Sequence, residues 1–365
     1  MTLVEVTWKV ILGLLANGSD LTHDQAAWAM EDLMSGNATD SQIAAFAMGL
    51  RVKGETPIEI IGLVDMMMKH SVRVNLDRHA VDVVGTGGDG ANTVNISTMA
   101  ALTVAGCGVP VLKHGNRAVS SKSGTADVLE ALGVAITMPP ILVSSAVAEA
   151  GIGFCMAPAH HPALRYAATV RKELAVPTVF NVLGPLANPG QPQAALIGVA
   201  DAKLAPVLAQ VQLQRNKSSI LVRSDDGLDE ISTVSTTRAW DVTSGLIREE
   251  VLDPKSFGIT PAYPDQLRGD DAKYNAQIVR AILAGRTDGD LQAIRDVVVL
   301  NAAAALVAYD AATARGNYGL ISDSLTSRMS RALPMAYRAL DSGAAESVLD
   351  LWVSVSQRYA LSGSN

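Results

Sequence analysis

The sequence predicts an α/β protein, with a small all-helical domain followed by a larger domain whose mostly parallel sheet is flanked by helices. Three observations carry this. Residues 1–75 repeat one helix-start grammar three times. From residue 80, short β-branched runs alternate with helical stretches, which implies parallel strands covered on both faces. After Tyr274 long helical patterns return. With 365 residues, 48% hydrophobic and 18% charged, the chain can build about two domains around a sizeable core.

In the first 75 residues, Thr22 is followed at the third position by Gln25, Thr39 by Gln42, and Thr56 by Glu59, the capping-box pattern. Pro57 suits a first helical position. Ile43, Phe46, Ala47 and Leu50 then recur at helical spacing. No reactive cluster occurs here, so the module reads as a packing or dimerisation layer, with residues 66–68 (three methionines) as core filler. Beyond it, strands are predicted at 80–84, 109–113, 178–180, 194–199, 219–223 and 230–234. Helices are predicted at 97–105, 125–132, 142–150, 162–174 and 202–213, then at 276–284, 291–314, 322–340 and 344–360.

A net charge of −7 argues against broad nucleic-acid binding, which normally needs a basic face. Cys107 and Cys155 lie in apolar stretches (VAGCGV, IGFCMA) and read as buried small hydrophobes. With no disulfide framework, a reducing, cytoplasmic setting is expected. The N-terminus lacks signal-peptide grammar. The apolar run 99–112 is too short to span a bilayer, so no membrane partner is expected.

The chemistry concentrates in VDVVGTGGDGANTVNIST (81–98) and KHGNRAVSSKSGTADVLEALG (113–133). GTGGDG (85–90) formally matches G-x-G-x-x-G, but the acid that a dinucleotide site needs about twenty residues on is missing. Residues 91–126 contain no Asp or Glu, while Lys113, Arg117 and Lys122 fall within them. Glycines let backbone approach an anion, and amides at a helix start can point at it. Asn95, Ser97 and Thr98 supply polar groups at such a start, and the second loop adds hydroxyls and cations, so the two loops read as a phosphate cradle. DDGLDE (225–230) ends a strand with carboxylates, the donor type that holds Mg²⁺ together with substrate phosphates. Arg165 and Arg171 could each bind a carboxylate, and spacing does not choose between them. His114 is a poor candidate base. No Ser-His-Asp order, zinc spacing or Walker motif is present, so nothing points to covalent catalysis.

These motifs, with HHPALRYAATVRKEL (160–174), FNVLGPLANP (180–189) and GLDEIS (227–232), resemble the anthranilate phosphoribosyltransferase family over nearly the whole chain. The resemblance implies a helical, homodimerising domain at 1–75 with a returning segment at about 170–190. It implies a large domain at 76–169 and 191–365 that binds phosphoribosyl pyrophosphate. It implies transfer of the phosphoribosyl group to the amine of anthranilate, with Mg²⁺, in tryptophan synthesis, and leaves a glutamine amidotransferase or anthranilate synthase partner open. By motif match, Gly85, Gly88, Asp89, Thr93, Asn95, Ile96, Ser97, Thr98, Lys113, Ser121 and Thr125 surround the donor. Gly85, Asn116 and Arg171 meet anthranilate, and Ser97, Asp229 and Glu230 hold metal. Pyrimidine nucleoside phosphorylases share the glycine loop but not KHGN with FNxLGPLxNP. Departures from the family pattern are Val94 for a frequent Phe, Ala187 for a frequent Thr, and Tyr274 where an acid is common.

Overall fold

The computed structural model describes residues 5–118 and 122–362. Four helices open the chain: α1 (Trp8–Ala16), α2 (His23–Met34), α3 (Asp40–Lys53) and α4 (Pro57–Lys69). The last three start where the capping grammar puts them. Thr22, Thr39 and Thr56 each accept from the N–H three residues on, and Gln25, Gln42 and Glu59 accept from the threonine N–H in return.

The α/β part runs β1 (Val81–Gly85), α5 (Ile96–Gly106), β2 (Val111–Gly115), α6 (Thr125–Ala131), α7 (Val143–Ala150), β3 (Ile152–Met156), α8 (Ala157–His160), α9 (Ala168–Leu174) and α10 (Val179–Leu183). It continues through β4 (Ala194–Gly198), α11 (Leu204–Gln214), β5 (Ser218–Ser224), β6 (Thr237–Asp241) and β7 (Arg248–Leu252). It closes with α12 (Ala272–Leu283), α13 (Leu291–Thr313), α14 (Leu325–Asp341) and α15 (Ala344–Ser362). Among the described residues the strands form one seven-stranded sheet in the order β3-β2-β1-β4-β5-β6-β7. The first five are parallel, and β6 and β7 extend the sheet antiparallel.

Several local expectations are corrected. Residues 178–180 are not a strand but the start of α10, where the Asn181 side chain accepts from Thr178 N–H at 3.1 Å. A short apolar run reads alike for a buried strand and a buried helical turn. Residues 230–234 form an irregular loop, because side chains take the backbone groups a ladder would use. Asn301 accepts from Ile231 N–H at 3.0 Å and Thr237 from Ser232 N–H at 3.1 Å. The 162–174 helix is interrupted: a 3-10 segment, Pro162–Ala167, precedes α9. β3, β6 and β7 lie outside the predicted strands. The run 99–112 splits between α5 and β2. Among the described residues, the helix long and apolar enough to cross a bilayer is α13, which is mostly buried against α5, β4 and β5.

Two apolar cores sandwich the sheet. One gathers α5, α6, α7 and α12–α15 with Leu196 and Ile220, and the other gathers α1–α4, α10 and α11 with Ile197 and Leu221. Burial on both faces explains why β4 reads as a continuous apolar run, and why β1 and β2 are buried through to their polar residues Asp82, Lys113 and His114. The chain leaves β1 toward β2 but leaves β4 toward β5 on the opposite side, so the strand order reverses between β1 and β4. Loops that diverge at such a point open a crevice beyond the carboxyl ends of the strands.

Candidate active site

At that crevice β1 ends in Gly85 and β4 in Gly198, paired across the ladder. The two bare α-carbons make a floor. A Cβ on Gly85 would collide with Asp229 Oδ2, and one on Gly198 with the Asp229 backbone oxygen. The acidic turn after β5 therefore lies directly on the ends of β1 and β4. Asp229 Oδ2 accepts from Gly87 N–H at 2.7 Å, and Glu230 Oε1 accepts from Ser97 N–H at 2.9 Å, at the start of α5. Gly87, Gly88 and Gly90 all have positive φ (67°, 82° and 72°), which is why the loop is glycine-rich.

Lys113 reaches this point from β2. It is 2% exposed, donates to Ser97 Oγ at 3.2 Å, and also bonds the Val83 carbonyl. Burial pulls its pKa down, while Asp82, Glu230 and Asp229 pull it back up. The carboxyls of Asp229 and Glu230 are pushed above their usual range, first by burial and then by neighbouring carboxylates, Asp89 beside Asp229 and Asp229 beside Glu230. Buried Asp229 and half-buried Glu230 make a carboxylate pair that fits a divalent cation. Among the described residues no group of three His, Cys, Asp or Glu side chains converges on one point. Asp225 and Asp226 stand apart from the pair. Asp226 accepts from Ser232 Oγ at 2.7 Å and also holds Ser224 Oγ, while Asp225 pairs with Thr236 and Arg238, so both shape the turn.

The acid-free run is not acid-free in space. Arg117 is paired with Asp127 and Glu130, each at 2.9 Å, and Lys122 with Asp270 at 2.7 Å. Asp127 also accepts from the N–H groups of Ala118 and Gly124, so it orders the second loop. Of the three cations, Lys113 is the one placed against the acidic turn. Asn95 receives a hydrogen bond from Asn275 at 2.9 Å, and Gly269 N–H donates to Asn92 O at 2.8 Å, tying the first loop to residues 269–275.

Asp89 belongs to this centre: its carboxylate raises the pKa of both Asp229 and Glu230, and it also accepts from Ala91 N–H at 3.1 Å. The remaining candidates are dispersed around it: Thr93 bridges to Arg268, and Asn116 is exposed at the end of β2. Thr125 starts α6. Ile96 and Thr98 are each 1% exposed, so Ile96 has only its backbone to offer, and the Thr98 hydroxyl has no partner among the described residues. Ser121 lies outside the described residues. Arg165 is exposed and stacks on Tyr166, its guanidinium 4.7 Å from the ring centre. Arg171, on α9, is half-buried, and its pKa is lowered by that burial. His114 is neutral and donates through Nδ1 to Gly184 O at 2.9 Å. Burial, with His161 beside it, lowers its pKa to about 3, which removes it as a base.

Two buried polar residues are not among the side chains that sequence reasoning singles out, although the first lies within the 81–98 motif. Asp82, inside β1, accepts from His114 N–H at 3.2 Å and from the Asn188 amide at 2.8 Å, and Asn188 also donates to Leu112 O. Burial raises the Asp82 pKa to about 6, against the opposing pull of Lys113. Its signal is an acid inside a β-branched run, VDVV. The second is Asn301, one polar residue inside VVVLNAAAALVA.

The chain matches the glycosyl transferase family twice, its helical bundle domain over residues 9–71 and its a/b domain over residues 77–345. It is 50% identical over 346 residues to an anthranilate phosphoribosyltransferase of Saccharopolyspora erythraea, covering 95% of both chains. It is also 50% identical to one of Rhodococcus jostii over 356 residues, covering 98% of this chain and 95% of that one. The crystal structure of the anthranilate phosphoribosyltransferase of Thermus thermophilus superposes with a TM-score of 0.85 at 34% identity, over 95% of this chain and 99% of the other. The Saccharomyces cerevisiae enzyme in complex with PRPP and Mg superposes at 0.84 with 26% identity, over 97% and 99%. With identity at this level sustained over nearly its full length, the chain belongs to the anthranilate phosphoribosyltransferase family.

Proposed function

We infer that the protein transfers the phosphoribosyl group of phosphoribosyl pyrophosphate to the amine of anthranilate, releasing pyrophosphate, in tryptophan synthesis. One observation carries the chemical side of this reading: the pair of buried Asp229 and half-buried Glu230, laid on two strand ends, against a helix start and Lys113. Asp229, Glu230 and Ser97 would hold Mg²⁺, which when bound neutralises charge building on the departing pyrophosphate. Lys113 adds a fixed positive charge to the same region, and the amides of the glycine loop add donors. The anthranilate amine is already nucleophilic, so positioning replaces a strong general base. Arg171, half-buried and cationic, is suited to the anthranilate carboxylate, with Asn116 and Gly85 beside the same substrate.

Residues 1–75 with the segment near 170–190 act as the helical domain, and the remainder as the donor-binding domain. The chain is a homodimer joined through the helical domain, where α3 and α4 leave Val52 81% and Ile58 45% exposed. Its two cysteines are free thiols, which supports a cytoplasmic setting. The direct test mixes protein, Mg²⁺, phosphoribosyl pyrophosphate and anthranilate, and follows loss of anthranilate fluorescence. Loss that requires all four supports the assignment. Unchanged fluorescence, with a nucleoside cleaved under inorganic phosphate instead, would overturn it in favour of a nucleoside phosphorylase.

A further inference from the structure

α13 is the central helix of the larger core, and residues 297–308 are almost entirely shielded from solvent. Asn301 is the polar residue of that stretch, itself 1% exposed. A buried amide without partners destabilises a fold, so its bonds matter. Its Oδ1 accepts from Ile231 N–H at 3.0 Å, and its Nδ2 donates to Ile231 O at 2.9 Å and to Val297 O at 2.8 Å. The side chain therefore grips both backbone groups of one residue, 70 positions away in sequence. That residue directly follows Glu230, and no strand or helix includes it.

The acidic turn is held from the other direction by Gly85 and Gly198, whose missing side chains leave room only for Asp229. We propose that Asn301 is a positioning residue for metal-dependent donor binding: it clamps the Glu230–Ile231 peptide against α13 and so fixes where the Asp229 and Glu230 carboxylates point. The carboxylates lie on a loop, and a loop holds a cation well only when its backbone is locked by a second layer of contacts. Asn301 supplies that lock from a helix buried in the larger core, and touches neither substrate nor metal. This inference rests on the phosphoribosyl-transfer reading with Mg²⁺.

The test compares the full-length protein with Asn301→Leu, which removes both bonds to Ile231 at similar volume, and Asn301→Asp, which can accept from Ile231 N–H but cannot donate to Ile231 O. Leu306→Ala, at a buried position of α13 away from the turn, is the stability control. Measurements are made well below each melting temperature. Both Asn301 variants are expected to raise the Mg²⁺ concentration for half-maximal rate by about tenfold or more, the usual scale for losing a ligand-orienting contact. The KM for anthranilate should stay within about twofold, because a clamp on the acidic turn reaches the donor side only. Deuterium exchange over residues 225–234 should quicken in both without substrates, a readout independent of turnover. The control should melt earlier with its Mg²⁺ dependence unchanged. If Asn301→Leu does not fold, Asn301→Asp decides. Unchanged Mg²⁺ dependence in a folded Asn301 variant overturns the clamp, as does an equal shift in Leu306→Ala. A wild-type rate independent of Mg²⁺ overturns the parent reading instead.

Discussion

Arg171 and Arg165 sit six residues apart, and the sequence alone ranks them equally. Their environments differ. Arg165 lies over an exposed tyrosine ring, whereas Arg171 is half-buried with its pKa pulled down by the loss of water. A guanidinium partly stripped of water gains more from a carboxylate than a solvated one does. Arg171→Ala should therefore raise the KM for anthranilate by about 10- to 100-fold, the loss of a hydrogen bond to a charged group, while the KM for the donor changes little. Steady-state kinetics with each substrate varied in turn checks this, and equal changes in both constants would reject the role. Asp229 belongs to the other half of the site. Asp229→Ala removes the acceptor for Gly87 N–H together with a carboxylate. It should lower kcat/KM for the donor by about 100-fold, the scale of losing one electrostatic stabiliser, and more strongly at low Mg²⁺. Full activity at low Mg²⁺ would remove Asp229 from the metal site.

Elements bring these residues together, and two of them set a pH response. His114 on β2 and His161 after α8 stack edge-on, ring centres 5.3 Å apart, and each donates to a carbonyl of the 184–187 turn, Gly184 O and Ala187 O. Burial lowers the His114 pKa to about 3, below the unfolded value of about 6.5. The unfolded chain therefore takes up a proton first as pH falls. His114's contribution is complete above about pH 6.5 and is lost on descending from there toward about 3. Between about pH 7 and pH 5 that loss is about 2 kcal/mol, from roughly 1.5 pH units at about 1.4 kcal/mol each. His114→Gln, which has no proton to gain, should lose about 2 kcal/mol less than the wild type over this interval in urea unfolding. Parallel losses in the two proteins would show that His114 does not titrate on unfolding. Elements also differ in how plainly the sequence announces them. The starts of α2, α3 and α4 are legible because a capping box is a local contract between residues three apart. β1 and β4 are legible as mainly apolar runs ending in glycine, and β2 as a Val-Leu start that also ends in glycine. β6 and β7 are not, since a hairpin extending the sheet edge interrupts its apolar residues with charges, Arg238 and Glu249 on its exposed side and Asp241 buried against Arg328. The acid pair is visible, but not its confinement to a loop, which depends on Asn301 from a helix 70 residues away. The cations of the second loop look free in sequence, because Glu130 and Asp270 approach them only in three dimensions.

At the scale of the whole molecule, the two cores share one sheet. The core beneath the helical bundle is not made by the bundle alone. Phe46, Leu50, Leu63 and Met67 pack in one cluster with Val170, Phe180, Leu183 and Leu186 from the returning chain, with Leu208 of α11, and with Ile197 and Leu221 of the sheet. A fragment of residues 1–75 would expose the face these partners cover. At about 75 residues a single core is already marginal without extra staples. The fragment is therefore expected to show weak helicity by circular dichroism at low micromolar concentration and a broad, non-cooperative melt. The full chain should instead lose its bundle and its sheet in one transition, because Ile197 and Leu221 serve the bundle's core on strands whose neighbouring residues, Leu196 and Ile220, face the other core. A sharp, cooperative melt of the isolated fragment would show that the bundle holds itself together. The returning segment would then be an ornament on the helical domain rather than the part that completes it.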